Sequence, residues 1–224
     1  MAPPSTPQVR KLFIRKLLAW YKRKGRELPW RDTRNPYAIL VSEFMLQQTQ
    51  VSRVLEYFPR FMARFPTIDN LARARPKAVM EQWDGLGYYA RARNLHKLAL
   101  EVTRRHDGTL PDDPEALRTL PGVGRYTAGA VACFAFEKPV PAVDTNVRRV
   151  LERAFAPRDV WKLAETMMPA RGKTAWKFNQ AMMELGALVC TARKPQCPNC
   201  PVRSDCLTGR SRIRIRNRRS ARPE

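Results

Sequence analysis

The chain has 224 residues, of which 42 are Lys or Arg and 20 are Asp or Glu, giving a formal net charge of +22. An apolar fraction of 44% with 9% aromatics excludes a disordered chain, and no apolar run approaches the ~18 residues that a membrane span needs. The length suits one large domain or two small ones, the start Met1-Ala2-Pro3-Pro4 lacks the pattern of a secretory signal, and the positive excess implies a polyanionic partner, nucleic acid ahead of a membrane surface.

Helical periodicity runs through the chain and strand alternation is nearly absent. Residues 10–21 place Leu12, Phe13, Leu17, Leu18 and Trp20 on an amphipathic stripe. Pro36 precedes a helix over 37–49, whose Ile39, Leu40, Phe44 and Met45 suit a core. Helices over 51–64, 76–83, 88–106 and 114–120 follow, separated by Pro, Gly and Asp. Residues 126–136, rich in Ala with Gly129 and Cys133, suit a tightly packed central helix, and 146–155, 160–168 and 175–191 complete the set. The fold class is all-α, with no repeat of solenoid length. The segment 207–224 is dense in Arg, from Arg210 to Arg222, against the single acidic Glu224. It reads as a basic tail that adds sequence-independent phosphate affinity.

Four of five cysteines cluster as C-x6-C-x2-C-x5-C: Cys190, Cys197, Cys200 and Cys206, with Pro195, Pro198 and Pro201 stiffening the loop. Four thiolates so close in sequence can surround one metal centre, zinc or an iron–sulfur cluster. Disulfides fit less well, because one Cys is left over and no secretion signal is present. Cys133, between Ala132 and Phe134, reads as a small buried apolar residue.

Leu120-Pro121-Gly122-Val123-Gly124 lies between two helical segments. Two glycines around one apolar residue allow a tight turn, and the backbone N–H groups of Gly122, Gly124 and the following helix start can bind a phosphate oxygen. Arg125, Tyr126 and Thr127 open the next helix, and Val143-Asp144-Thr145-Asn146 follows, with an acidic residue at a helix start.

Leu120 to Thr127 followed by Asp144 resembles the helix-hairpin-helix and catalytic Asp of the endonuclease III superfamily of DNA glycosylases, and the cysteine spacing resembles that superfamily's 4Fe–4S loop. Leu28-Pro29-Trp30-Arg31, the stretch from Ser42 to Val51, Gly85-Leu86-Gly87-Tyr88-Tyr89-Ala90-Arg91-Ala92-Arg93-Asn94 and Phe178-Asn179-Gln180-Ala181-Met182-Met183 resemble the MutY-type adenine-DNA glycosylases. The resemblance runs from about residue 10 to 206. It implies a two-lobed helix-hairpin-helix glycosylase fold, with a six-helix barrel over 28–137 and a 4Fe–4S cluster lobe built from 1–27 and 138–206. A basic tail over 207–224 follows, and duplex DNA carrying a mismatch is the implied partner of a monomeric, cytoplasmic, nucleoid-associated protein with no membrane attachment.

Breaking a purine N-glycosidic bond creates an oxocarbenium-like sugar and a poor leaving group, so an acid and a stabilising carboxylate are required. Glu43 fits the acid, because it stands in an apolar, amide-rich stretch where burial raises a carboxyl pKa. Asp144 fits the carboxylate and also suits an N-cap; Asn146 orients water or Asp144, or caps. Bifunctional relatives carry Lys where this chain has Tyr126, and a phenol cannot form the Schiff base of a lyase. The reading is a monofunctional glycosylase. The resemblance further assigns Gln48 and Tyr88 to insertion among the bases, as the target nucleotide must leave the stack. It also assigns Arg31, Leu46 and Gln180 to the surroundings of the flipped adenine.

Two features depart from the family. Typical members continue into a domain that recognises the opposing 8-oxoguanine, and here only the basic tail follows Cys206; Thr145 stands where the family commonly has Gly. Short relatives that remove thymine or uracil opposite guanine also carry Tyr at the hairpin, so pyrimidine excision is the alternative activity. A non-catalytic iron–sulfur DNA-binding protein is the third reading, opposed by the presence of both Glu43 and Asp144.

Overall fold

Side chains set most helix starts. Thr6, Asn35, Thr67, Asp113, Asp144 and Asp159 each accept a hydrogen bond from a backbone N–H of the first turn that follows, the role short polar side chains perform at N-caps. Proline occupies the first position of four helices, where its missing N–H costs nothing. The computed structural model describes residues 6–211, and among these the secondary structure is wholly helical.

By packing, the chain divides into two units: Glu27–Lys138, and the residues up to Arg26 together with those from Pro139 onward. The first holds α2 (Pro36–Leu46), α3 (Val51–Arg64), α4 (Ile68–Ala72), α5 (Pro76–Trp83), α6 (Ala90–Arg105), α7 (Pro114–Arg118) and α8 (Arg125–Phe136). Every residue of α2 from Tyr37 to Met45 is buried, and so are Thr127 to Phe134 of α8, against which α2 packs. Such helices, apolar all round, form the centre of a unit rather than its surface. The small side chains of α8 allow the close approach. Short α4 has no counterpart in the sequence reading, because so brief a helix cannot display a helical period.

The second unit holds α1 (Pro7–Lys24), α9 (Thr145–Phe155), α10 (Val160–Met167) and α11 (Gly172–Leu188). Val9, Phe13, Leu17 and Trp20 form the buried stripe of α1, with Phe13 tilted against Phe155 of α9 at 5.1 Å between ring centroids; Leu12 and Leu18 lie at its edges. After α11 come the cysteine loop and a helical stretch over 207–211. Thr208 Oγ1 donates to the Arg153 carbonyl at 2.9 Å, so the first residues of the expected basic tail belong to the folded loop. The rest of that tail, 212–224, lies outside the described residues.

Candidate functional site

In the 27–138 unit, Glu43 lies in the last turn of α2 and is 4% exposed. Tyr126, in the first turn of α8, donates its phenolic hydrogen to Glu43 Oε2 at 2.6 Å. The packing of α2 on α8 therefore brings together two residues that the sequence reading singled out separately. Lys138 is engaged elsewhere, 2.6 Å from Asp112.

The hairpin between α7 and α8 supplies the start of α8. Gly122 takes φ +79°, and a Cβ there would meet Asn94 Cβ at 2.8 Å and Phe44 Cε1 at 3.0 Å, so no other residue fits without displacement. Gly124 is the N-cap and offers no side-chain acceptor, unlike the six capped helices. An uncapped helix start of this kind suits a phosphate oxygen.

Two further segments carry backbone outside the usual regions. Gln48, just past α2, has φ +56°, and Tyr88, before α6, has φ +47° with 59% of its surface exposed. Both are non-glycine residues in the left-handed region, a conformation that clusters at functional sites. Leu46 ends α2, half-buried; Arg31, in the 3-10 turn Pro29–Arg31, is buried at 9% exposure. Tyr89, which suited core and contact equally by sequence, donates to Asp84 Oδ1 at 2.7 Å.

In the second unit, Asp144 caps α9. Its Oδ1 accepts from Val147 N at 2.7 Å and its Oδ2 from Asn146 Nδ2 at 2.9 Å, so one oxygen caps the helix and the other is held by the Asn146 amide. The approach to Asp144 is held from α11, where Asn179 Oδ1 accepts from Ala142 N at 3.1 Å and its Nδ2 donates to the Val140 carbonyl at 2.9 Å. Gly186 of α11 lies so close to Asn146 that a Cβ would come within 2.6 Å of the Asn146 Cβ. Gln180, on α11, is 4% exposed.

Arg149 joins this capping arrangement to the cysteine loop. Its Nη2 donates to Asn146 Oδ1 at 2.7 Å and to the Gly186 carbonyl at 2.8 Å, while its Nε donates to the Cys190 carbonyl at 2.8 Å. Arg153, one turn on, donates to the carbonyls of Thr191 and Ala192 at 2.8 Å and to Cys190 Sγ at 3.4 Å. Sequence reasoning missed both, since a partly buried Arg on a helix of period 3.6 looks like any solvated one.

The four cysteines line one small cavity of about 20 Å³, and none is in a disulfide. Among the described residues, no three His, Cys, Asp or Glu side chains are arranged to hold a single metal ion. Burial pushes the Cys200 thiol up to about 12, and the neighbouring cysteines add to that; Cys206 is raised for the same first reason. Thiolates so placed require a cationic centre among them. The loop is tied to α1 by Lys16, whose Nζ lies 2.7 Å from Asp205 Oδ2. Cys133 is fully buried in α8, apart from this group.

Residues 41–172 match the HhH-GPD superfamily of base excision DNA repair proteins, and residues 190–206, from the first to the last clustered cysteine, match the iron–sulfur binding domain of endonuclease III. The cofactor is a 4Fe–4S cluster. The chain is 49% identical over 210 residues to an adenine DNA glycosylase of Mycobacterium tuberculosis, covering 89% of this chain and 68% of that protein. It is 45% identical over 214 residues to the adenine DNA glycosylase of Rattus norvegicus, covering 87% of this chain but 41% of that protein. A thermostable thymine-DNA glycosylase structure superposes with a TM-score of 0.85 at 31% identity, covering 91% of this chain and 98% of that one. A trapped endonuclease III–DNA covalent intermediate gives 0.80 at 29% identity, with 93% and 99% covered. No helix among the described residues is long and apolar enough to cross a membrane. With most of its length matched at this level, the chain belongs to the HhH-GPD superfamily of base excision DNA repair proteins, and its partner is DNA.

Proposed function

We propose that the protein is a monofunctional adenine-DNA glycosylase, hydrolysing the N-glycosidic bond of adenine mispaired with guanine or 8-oxoguanine in duplex DNA. It acts as a monomer and, inside the cell, in the cytoplasm at the nucleoid. The observation that carries the reading is the buried Glu43 carboxyl held by Tyr126 at 2.6 Å. An acid that must protonate a departing purine needs a dry environment and one orientation, and this arrangement supplies both. Tyr126 occupies the hairpin position where an amine would make the enzyme a lyase, and it serves instead to orient Glu43. The adenine DNA glycosylases at 45% and 49% identity support adenine as the base.

Asp144 is the carboxylate that balances the developing positive charge on the sugar. Val147 N–H and the Asn146 amide hold both of its oxygens, so no reorganisation is needed as charge develops. Gln48 and Tyr88 enter the duplex, Arg31, Leu46 and Gln180 surround the extruded base, and the amides at Gly122, Gly124 and the α8 start bind phosphate. Cys190, Cys197, Cys200 and Cys206 hold the cluster. When bound, it supplies metal–thiolate bonds that staple the loop, and Arg153 and Arg149 carry the loop's position to α9.

The thymine-DNA glycosylase likeness favours one second reading, excision of thymine or uracil opposite guanine. Duplexes carrying A, T or U opposite G or 8-oxoguanine, incubated with the protein and then treated with alkali, separate the two. Cleavage confined to A-containing strands supports adenine; cleavage only at T or U replaces it with the second reading. Tight binding with no abasic sites on any duplex sinks both in favour of a non-catalytic DNA-binding protein.

A further inference from the structure

Arg91, in the first turn of α6, is 7% exposed although its neighbour Arg93 is exposed. Helical spacing puts it on the same face as Leu95, Leu98, Ala99 and Val102, all buried, so a cation stands where the stripe calls for an apolar residue. A buried cation persists only when its donors are well used. Here they are. Nη1 donates to the carbonyls of Phe44 at 2.9 Å and Met45 at 2.8 Å, and to that of Gln47. Nη2 donates to Thr49 Oγ1 at 3.1 Å, to the Leu86 carbonyl at 3.2 Å and to the Gly87 carbonyl at 3.1 Å.

Two of these acceptors matter most. The Gln47 carbonyl belongs to the peptide that precedes Gln48, and the Gly87 carbonyl to the peptide that precedes Tyr88. Each peptide plane leads into a residue in the left-handed region. Trp83 Nε1 also donates to the Gly87 carbonyl, at 3.2 Å, and the guanidinium lies 5.4 Å from both the Trp83 and Tyr88 ring centroids. Thus one rigid planar group clamps the end of α2 from one nitrogen and the Gly85–Tyr88 turn from the other. Left-handed backbone at non-glycine residues is strained and relaxes unless the surroundings hold it.

The geometry points to Arg91 as a positioning residue that holds Gln48 and Tyr88 in one common frame, so that the two enter the base stack as a unit. The inference rests on the proposed insertion of these residues into duplex DNA. A lysine keeps the charge and loses the function, because a point ammonium with three donors cannot span six acceptors on two segments.

The test is a mutant cycle on the full chain with its cluster. Wild type, R91K, Q48A/Y88A and R91K/Q48A/Y88A are compared, with rates normalised to titrated competent sites and folding followed by Tm and visible iron–sulfur absorbance. Two signals are read: fluorescence of 2-aminopurine beside the mismatch, which reports unstacking, and single-turnover excision of adenine. R91K is expected to lose most of the unstacking signal and up to about 100-fold in excision rate, while retaining salt-dependent binding to undamaged duplex. In the Q48A/Y88A background the same change should cost less than about twofold, because its targets are gone. Independent, multiplicative effects in the two backgrounds overturn the inference, as does an R91K protein that unstacks DNA like the wild type. If R91K does not fold, T49V removes one acceptor of the clamp and must shift the unstacking signal in the same direction; an unchanged signal there also overturns it. A wild type that unstacks duplex but releases no adenine refutes the adenine reading and leaves the cycle in 2-aminopurine fluorescence to decide the coupling.

Discussion

Tyr126 donates its phenolic hydrogen to Oε2 of Glu43 at 2.6 Å, joining residues 83 positions apart on the two most buried helices of their unit. The pair gives the phenol a purpose other than nucleophilic attack, and it makes the chemistry of the site separable by mutation.

Tyr126→Phe should leave the protein folded and lower adenine excision about tenfold, the scale of one orienting hydrogen bond. Glu43→Gln should cost at least about 100-fold, the range of a positioned general acid. Alkali-dependent strand cleavage measures both. Strand scission by the wild type before alkali, with a borohydride-trapped adduct, would defeat the monofunctional assignment.

Asp144→Asn should lower the single-turnover rate by about 100-fold or more, since a neutral amide cannot balance the sugar cation. It retains a cap acceptor for Val147 N, so Tm should fall little. A Tm loss that accounts for the whole rate change would make Asp144 a cap and nothing more.

Gly186→Ala forces a methyl to within 2.6 Å of Asn146 Cβ and 3.1 Å of its carbonyl carbon and oxygen. Displacing Asn146 disturbs the amide on Asp144 Oδ2, and the excision rate should drop further than the about 1–3 kcal/mol overpacking cost in stability would suggest. Unchanged kinetics at competent sites would mean that Asn146 does not orient Asp144.

Cys197→Ser should abolish the visible iron–sulfur absorbance and weaken DNA binding, because the loop presents exposed Arg193 and Lys194. Stoichiometric zinc without iron after anaerobic purification would contradict the cluster.

Tyr37 is buried on α2 with its hydroxyl donating to the Phe65 carbonyl at 2.9 Å, and burial raises its pKa well above the usual 10.0. The folded state thus holds this proton more tightly than the unfolded chain. Its contribution to stability is complete below pH 10 and is lost as pH rises above that. Tm measured from pH 8 to about 11 should fall more steeply for the wild type than for Tyr37→Phe; parallel curves would exclude Tyr37 as the source.

Local chemistry made much of this protein legible in its sequence. The apolar period, with a proline start at Pro76, placed the helices Val51–Arg64 and Pro76–Trp83 at their observed bounds, since those signals act within one or two turns. The cysteine spacing singled out the iron–sulfur segment because all of its members lie between Cys190 and Cys206. The tertiary structure alone decided which distant groups meet. Glu43 finds Tyr126 only when α2 lies on α8, Arg149 reaches the Gly186 and Cys190 carbonyls only when α9 lies on α11, and Arg91 clamps two strained segments only when α6 packs on α2. A buried arginine and a solvated one have the same letter, and their difference is the number of carbonyls that folding brings within reach of a rigid guanidinium.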